Sequence, residues 1–383
     1  MKINRVAIIS FFFTLLISID IIQIAGLRVG LLPLLLFSIF ILIKDKVLDS
    51  NFYFISFFAI ASLPSLLFSY EVIKSTLYIA WIFLNYFSIF IAYKYLGNRS
   101  LEKTLTGILF AFRFQIIIGF ILFILSIQTR AHVLFYEPSY FAIALIPYLV
   151  IYYNNLFNNF SSNKKSILID TILITLAVIS TQSFNLMVIL LIIPLLFSII
   201  ASKNKLRDLS IGSLFITLCC SIIIYLSKNS NNLIANTVNN ITESQNLFIT
   251  LTERTGNRWP RFELAQEIAL NNFWGVGIGA YEKFTENNNI VNFSHLPYYT
   301  NPIGYPAVNI YFEIAATCGW IALVIWLYWH FKLLKKSLTN NTLLFVILLT
   351  SMIILIIESN FLRPYYWMIL ALVSANLNQE FKD

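Results

Sequence analysis

Long apolar stretches alternate with short polar segments along almost the whole chain. A helix of about 20 apolar residues is long enough to cross a bilayer, and on this criterion the sequence predicts about twelve spans. These lie near residues 6–24, 27–43, 52–68, 76–96, 105–127, 139–153, 167–182, 184–201, 210–226, 306–330, 342–360 and 364–378. The pattern therefore predicts an all-α polytopic membrane protein.

One segment interrupts this alternation, and we call it the long polar loop (residues 227–305). Its first part is rich in Asn, Ser and Thr. Apolar residues at helical spacing then predict an amphipathic helix over 260–270, with Pro260 in its first turn and Asn271 at its end. Alternating glycines over 275–281 follow, and they suit a tight backbone path or close approach to a ligand.

The long polar loop divides the chain into three predicted parts. An N-terminal bundle of about nine spans covers 1–226, and about three C-terminal spans cover 306–383. The loop between them is expected to contain short helices and to carry the function.

Composition agrees with a membrane protein, because only 11% of the residues are charged, whereas a soluble domain has about 25%. The net charge is +8, but most cations lie in short loops between the apolar stretches. Their bias predicts that both termini are cytoplasmic and that the long polar loop lies outside. A nucleic-acid partner is not expected, since it would require a solvated basic face.

Three arginines stand before or at the start of the predicted loop helix: Arg254, Arg258 and Arg261. Guanidinium groups bind phosphate in a bidentate manner, so these residues predict a site for a lipid-linked pyrophosphate. The alternative is a general attraction to anionic headgroups. Tyr281 ends the glycine segment and is a candidate for stacking on a sugar, although an interfacial aromatic belt explains most aromatic residues of this kind.

A second candidate segment contains Glu137, which precedes Pro138 at the predicted outer start of a span, and Arg130 shortly before it. A carboxylate at the membrane rim is costly unless it is paired or functional. Glu137 is therefore a candidate to accept a proton from an attacking hydroxyl, with Arg130 as a candidate substrate ligand. The alternative is a carboxylate stabilised by the dipole of the helix that it begins.

Further polar candidates lie in the C-terminal part. Asn309 and Glu313 are four residues apart and share a face of a predicted helix in the outer half of the membrane, where polar residues are functional candidates. Glu358 and Arg363 stand near the outer end of a later span. They are expected either to pair with each other or to complete a polar cavity.

Charge is sparse within the apolar stretches themselves. Arg113 and Asp170 are exceptions, and an arginine at mid-span needs a partner or a water-filled cavity. The sequence has no Walker A, HExxH, CxxC or GxSxG pattern, and its three histidines show no metal-ligand spacing. We therefore expect no cofactor and no metal ion.

Four features together carry a family resemblance. The segment FYEPSYFA (135–142) is similar to an EPS segment, and the run from Arg261 to Tyr281 joins an arginine, a helix and a glycine segment. Asn309 followed by Gly319 is similar to a pattern of His-Asn, nine residues and Gly. With many spans and one dominant outer loop, the chain resembles the Wzy-type O-antigen polymerases of the O-antigen polymerase/ligase superfamily.

Two positions depart from the family patterns. Val308 stands where the ligase pattern has a histidine, which favours a polymerase over a ligase. Phe184 follows Ser183 where the family often has a Ser-Arg pair, so no arginine is carried over there.

The resemblance implies a GT-C-like glycosyltransferase in the bacterial cytoplasmic membrane, making a polysaccharide of the O-antigen or capsule type. The donor would be a growing glycan on undecaprenyl pyrophosphate, and the acceptor would be the non-reducing-end sugar of a second lipid-linked repeat unit. Arg258 and Arg261, assisted by Arg254 or Arg363, would neutralise the pyrophosphate without a metal. Glu137 would position the hydroxyl.

The expected partners are lipid-linked oligosaccharides, membrane lipid and a protein that regulates chain length. Three alternatives stay open, and one of them is an interaction or receptor protein that binds its partner through the long polar loop. A ligase-type transferase would move the glycan to a different acceptor. A lipid-linked oligosaccharide flippase would need charged residues along a cavity through both leaflets, and the sparse intramembrane charge argues against it.

Overall fold

A computed structural model of the protein describes residues 5–24, 27–45, 50–158, 163–200, 258–288, 290–293, 300–359 and 361–375, with single positions at 210, 213, 217 and 221. Over these residues the fold is helical, apart from one two-residue antiparallel ladder between Gln23–Ile24 and Leu27–Arg28. The predicted helical class is confirmed. Arg254 lies outside the described residues.

The α-helices of the described residues make up most of the fold. In chain order they are α1 Arg5–Ile17, α2 Leu31–Asp45, α3 Asn51–Ser62, α4 Val72–Asn85, α5 Ile91–Ile124, α6 Pro138–Ala144, α7 Ile146–Asn158, α8 Lys164–Thr181, α9 Phe184–Ile200, α10 Arg258–Asn271, α11 Tyr281–Asn287, α12 Ile310–Cys318, α13 Trp320–Asn340, α14 Thr342–Ile354 and α15 Pro364–Ala375. A 3-10 helix (Leu63–Phe68) extends α3, and a π-helical turn (Tyr86–Phe90) joins α4 to α5.

Within this described part, two helical stretches are long and apolar enough to cross a membrane, Asn51–Phe68 and Val72–Ile124. The pair α6 and α7, bent by 45°, makes a third if it is counted as one span. Shorter apolar helices are α1, α2, α9, α14 and α15. The apolar helices fit a membrane protein, but about twelve spans are not confirmed.

Breaks in the helices explain part of this difference. Ser100 has extended backbone angles (φ −169°, ψ 101°) inside the 53-residue stretch. An unbroken helix of that length would measure about 80 Å, far more than a bilayer needs, so the kink divides it. The span predicted near 306–330 is broken too, since Gly319 (φ 94°, ψ 164°) separates α12 from α13.

A buried ion pair joins α5 to α8. Arg113 donates to both carboxylate oxygens of Asp170, each at 2.7 Å, and to the Ser166 hydroxyl at 2.6 Å. Tyr148 of α7 also donates to Asp170, at 2.8 Å. Arg113 thus has the partner that the sequence required, and a bidentate pair fixes the relative position of the two helices.

Helix α10, in the described part of the long polar loop, docks on the short helix α12. Leu264, Ala265, Ile268 and Ala269 form the buried face of α10, which packs against α12. Helix α10 confirms the predicted loop helix, and its last residue is Asn271, where the sequence placed the end.

The glycine segment continues this docking through its backbone. Val276 N–H donates to the Ala316 carbonyl oxygen at 2.8 Å, and Gly277 N–H donates to that of Thr317 at 3.1 Å. Gly275 has φ +81°, and a Cβ there would lie 2.5 Å from the Thr317 carbonyl oxygen. A side chain does not fit this approach, so the glycine serves the tight backbone path that the sequence predicted.

Candidate functional site

Arginines from separate parts of the chain converge where the long polar loop meets the ends of the helices. Arg258 and Arg261 belong to the first turn of α10, Arg363 directly precedes α15, and Arg28 precedes α2. We call these four residues the arginine cluster. Tyr140 of α6 lies beside this cluster, because the guanidinium of Arg363 lies over its ring.

Arg258 is anchored on one side. Its guanidinium donates to the Ile357 carbonyl oxygen and to Glu358 Oε1, each at 3.0 Å. The same Glu358 oxygen accepts from the Asn185 side chain at 2.7 Å. The Arg258 side chain is 42% exposed while that of Glu358 is only 9% exposed, so the carboxylate orients a guanidinium that a ligand can still reach.

Arg261 stands one turn further along the chain. Its Nε donates to the Pro306 carbonyl oxygen at 2.6 Å, and its guanidinium lies over the Tyr305 ring at 5.9 Å. Burial, and then the positive charge of Arg258, lowers the pKa of Arg261. Two neighbouring cations in a partly buried place are stabilised by a bound anion.

Arg363 and Arg28 share one carboxylate. Both donate to Asp20, which is 2% exposed, and Arg28 also lies over the ring of Trp81 at 5.3 Å. The sequence left open whether Glu358 and Arg363 pair. The structure pairs Arg363 with Asp20 instead, and two guanidinium groups on one carboxylate leave a local excess of positive charge.

Glu313 and Tyr281 each carry one buried oxygen atom. Among the described residues, neither Glu313 Oε2 on α12 nor the Tyr281 hydroxyl on α11 has a hydrogen-bond partner. Burial, and then the negative charge of Glu313, raises the pKa of Tyr281. The positive charges of Arg261 and Arg363 act on Glu313. The pair therefore lies beside the arginine cluster.

Glu137 and Arg130 lie at the edge of this region. Glu137 is exposed and precedes α6 with an extended backbone, and its Oε2 accepts from the Ser139 hydroxyl at 3.1 Å. Arg130 donates to the carbonyl oxygens of Thr181 (3.1 Å) and Gln182 (2.8 Å), and so caps the end of α8. The structure brings the two near each other but gives Arg130 a structural task.

Asn309 acts as the N-cap of α12. Its side-chain oxygen accepts from the backbone of Tyr311 (2.9 Å) and Phe312 (3.0 Å), and its amide nitrogen donates to the Ile356 carbonyl oxygen at 2.8 Å. These bonds orient α12 and therefore also Glu313, which lies one turn after Asn309. A direct contact of Asn309 with substrate stays a prediction.

The model of the family Wzy_C, described as O-Antigen ligase, matches residues 169–327 of the chain. This match supports the O-antigen polymerase/ligase superfamily as the family of the chain. The superfamily fits a glycan transferase of the O-antigen ligase or polymerase type that uses lipid-linked glycans in a bacterial membrane. No curated protein matches the chain.

The matched region carries five of the candidate residues, namely Arg258, Arg261, Tyr281, Asn309 and Glu313. The sequence did not single out Tyr140 or Asn185, which the structure places against the arginine cluster and against Glu358. Tyr140 could have been noticed because it follows the EPS segment directly. Asn185 carries no such signal, since its role depends on which helices pack together.

Proposed function

We propose that this protein is a polysaccharide polymerase of the O-antigen or capsule type. It would transfer a growing glycan from polyprenyl pyrophosphate to the non-reducing-end sugar of a lipid-linked repeat unit. The observation that supports this proposal is the arginine cluster beside the docked helix α10, where Arg258 binds Glu358 and Arg363 lies over the Tyr140 ring.

The reaction depends more on electrostatic stabilisation of the leaving pyrophosphate than on a strong acid or base. The acceptor hydroxyl attacks the anomeric carbon of the donor, a new glycosidic bond forms, and the bond to the pyrophosphate oxygen breaks. The negative charge that develops on the leaving pyrophosphate is stabilised by guanidinium groups that are already oriented. Arg258 and Arg261 fill this role in the proposal, with Arg363 and Arg254 assisting.

The proton of the attacking hydroxyl requires an acceptor. Carboxylates are suited to it, and Glu137 at the edge of the site is the candidate that the sequence favours. Arg130 would hold the segment that carries Glu137 against the end of α8. Substrate binding would also involve three residues of the matched region, Tyr281, Asn309 and Glu313.

We propose that the enzyme works without a metal ion. Among the described residues, no three His, Cys, Asp or Glu side chains are grouped as metal ligands would be. The arginine cluster offers an alternative source of positive charge for the pyrophosphate.

The membrane arrangement is part of the proposal. We propose a GT-C-like protein of the cytoplasmic membrane, with spans in 1–226 and 306–383 and the long polar loop between them on the outer face. Both termini would be cytoplasmic, the lipid carrier would be undecaprenyl, and a chain-length regulator would be a protein partner. The short loops rich in Lys and Arg support this orientation.

A ligase-type transferase is the second candidate, and the description of the matching family favours it. It would use the same arginines but deliver the glycan to a different acceptor. Val308, in place of the histidine of the ligase pattern, favours the polymerase.

The two candidates differ in their products. Purified protein in lipid vesicles should convert lipid-linked repeat units into a ladder of longer glycans on a gel, and Arg258→Ala should abolish the ladder. Arg5→Ala, at the far start of α1, is the matched control and should keep it. A single product that forms only when another acceptor lipid is added would identify a ligase, and repeat units that are never consumed would overturn both transferase proposals.

A further inference from the structure

The carboxylate of Glu313 is placed differently from that of Glu137. Glu137 is exposed and accepts a hydrogen bond from Ser139, whereas Glu313 has a buried Oε2 that finds no hydrogen-bond partner among the described residues. Leaving a carboxylate oxygen buried and unpaired is costly, and such groups in native structures call for an explanation. A ligand that donates a hydrogen bond to Glu313 would supply one.

Tyr281 provides a second observation of the same kind, because it lies on a different helix from Glu313. It is 4% exposed, it begins α11 directly after the glycine segment, and its hydroxyl also lacks a partner among the described residues. One buried acceptor and one buried hydroxyl, from two different helices, thus stand unsatisfied beside the same arginines. This arrangement suits a substrate hydroxyl that donates to the carboxylate and accepts from the phenol.

We propose that Glu313 is the catalytic base of the transfer and that Tyr281 positions the acceptor hydroxyl. This inference rests on the proposed function. In the step, the acceptor O–H gives its proton to the Glu313 carboxylate while its oxygen bonds to the anomeric carbon. The bond from that carbon to the pyrophosphate oxygen breaks, and the electron pair leaves with the lipid pyrophosphate.

The groups around Glu313 suit both the proton transfer and the departure of the lipid pyrophosphate. Arg261 and Arg363 are the cations whose charges act on it, and Glu282 is the neighbouring anion. Tyr78 of α4 and Tyr281 are the phenols near it. The same arginines that face the leaving pyrophosphate therefore also act on the carboxylate that would take the proton.

The position of Glu313 is also well fixed. Asn309 caps the first turn of α12 and ties it to the segment after α14, while Val276 and Gly277 hold the last turn. A base held on a rigid element from both ends can be aligned with the attacking hydroxyl, which general base catalysis requires.

The test compares Glu313→Gln, Glu313→Asp and Glu137→Gln in the vesicle assay from about pH 4 to about pH 9, a range that begins near the ordinary pKa of a glutamate side chain. Glu263→Gln is the matched control, because Glu263 is exposed on α10. We expect Glu313→Gln to lower kcat about 100-fold with little change in KM for the lipid-linked donor. Its rate should no longer rise with pH, whereas Glu313→Asp should keep that rise at a lower rate.

The outcomes separate the inference from the proposed function. A wild-type protein that makes no ladder and transfers to no acceptor refutes the function itself. Full activity of Glu313→Gln beside loss in Glu137→Gln would overturn the inference while leaving the polymerase intact. A Glu313→Gln variant that is slow but keeps the wild-type pH profile would also overturn it, since that result means a structural role.

Discussion

Arg363 lies over the ring of Tyr140, with 4.0 Å between the guanidinium carbon and the ring centroid. The same guanidinium donates to Asp20, so one edge of it is bound and one face is covered. A cation held in this way keeps a fixed direction, and Tyr140 thus acts on the arginine cluster through Arg363.

Replacing Tyr140 tests this role. Tyr140→Leu should raise KM for the lipid-linked donor about fivefold, because a cation–π contact contributes roughly 1 kcal/mol and orients Arg363. Tyr140→Phe keeps the ring and should stay near the wild type. Steady-state kinetics with the donor varied would measure both. Equal losses in the two variants would assign the effect to the phenol hydroxyl and not to the ring.

Arg261 should not tolerate lysine. A lysine keeps the positive charge but cannot hold the Pro306 carbonyl oxygen and a phosphate together with a planar fork. Arg261→Lys should therefore lower kcat at least tenfold in the vesicle assay. Arg5→Lys is the control and should retain full activity. Full activity of Arg261→Lys would mean that general electrostatic attraction is sufficient.

Several parts of the arrangement follow from the sequence, and others do not. Local patterns were enough to predict helix α10, with Pro260 in its first turn and Asn271 at its end. They also predicted the tight backbone path at Gly275. They also singled out Arg113 as a residue that needs a partner. These features depend on a few neighbouring residues, which a sequence displays directly.

Pairings across the fold could not be predicted in the same way. Asp20 lies far from Arg363 in the chain, and Glu358 binds Arg258 although Arg363 is much closer in sequence. The break at Gly319 also escaped prediction, because α12 and α13 are both apolar and read as one span. The packing of the helices decides these pairings and this break, and the periodicity of the sequence does not show how the helices pack.

The docking of the glycine segment predicts a large effect of a small change. Gly275→Ala combines a left-handed backbone (φ +81°) with a Cβ 2.5 Å from the Thr317 carbonyl oxygen, so it should lower stability by about 1–3 kcal/mol. Gly304→Ala is a matched control, since Gly304 has φ +78° but its Cβ would come no closer than 3.4 Å to Glu286. Thermal unfolding in detergent should show a clearly larger loss for Gly275→Ala. Equal losses would mean that the backbone conformation, and not the contact with α12, decides the effect.

Removal of divalent cations should leave the activity unchanged. The proposal assigns the charge of the leaving pyrophosphate to the arginine cluster, so EDTA should not slow ladder formation by purified protein. The measurement is the rate before and after EDTA, with Mg²⁺ and Mn²⁺ added back. Loss of activity that either ion restores would refute metal independence.

The ion pair between Arg113 and Asp170 should show strong non-additivity in stability. The Asp170 side chain is buried (1% exposed) and that of Arg113 is largely covered (14% exposed), so removing one partner leaves a poorly compensated charge between α5 and α8. Arg113→Met or Asp170→Leu alone should cost about 3 kcal/mol, while the double variant should be more stable than either single one. Lys103→Met breaks an exposed pair with Glu102 and should have almost no effect on thermal unfolding. If the losses of the two single variants simply add in the double variant, the pair does not act as one unit, and the register of α5 and α8 must be set by their apolar packing.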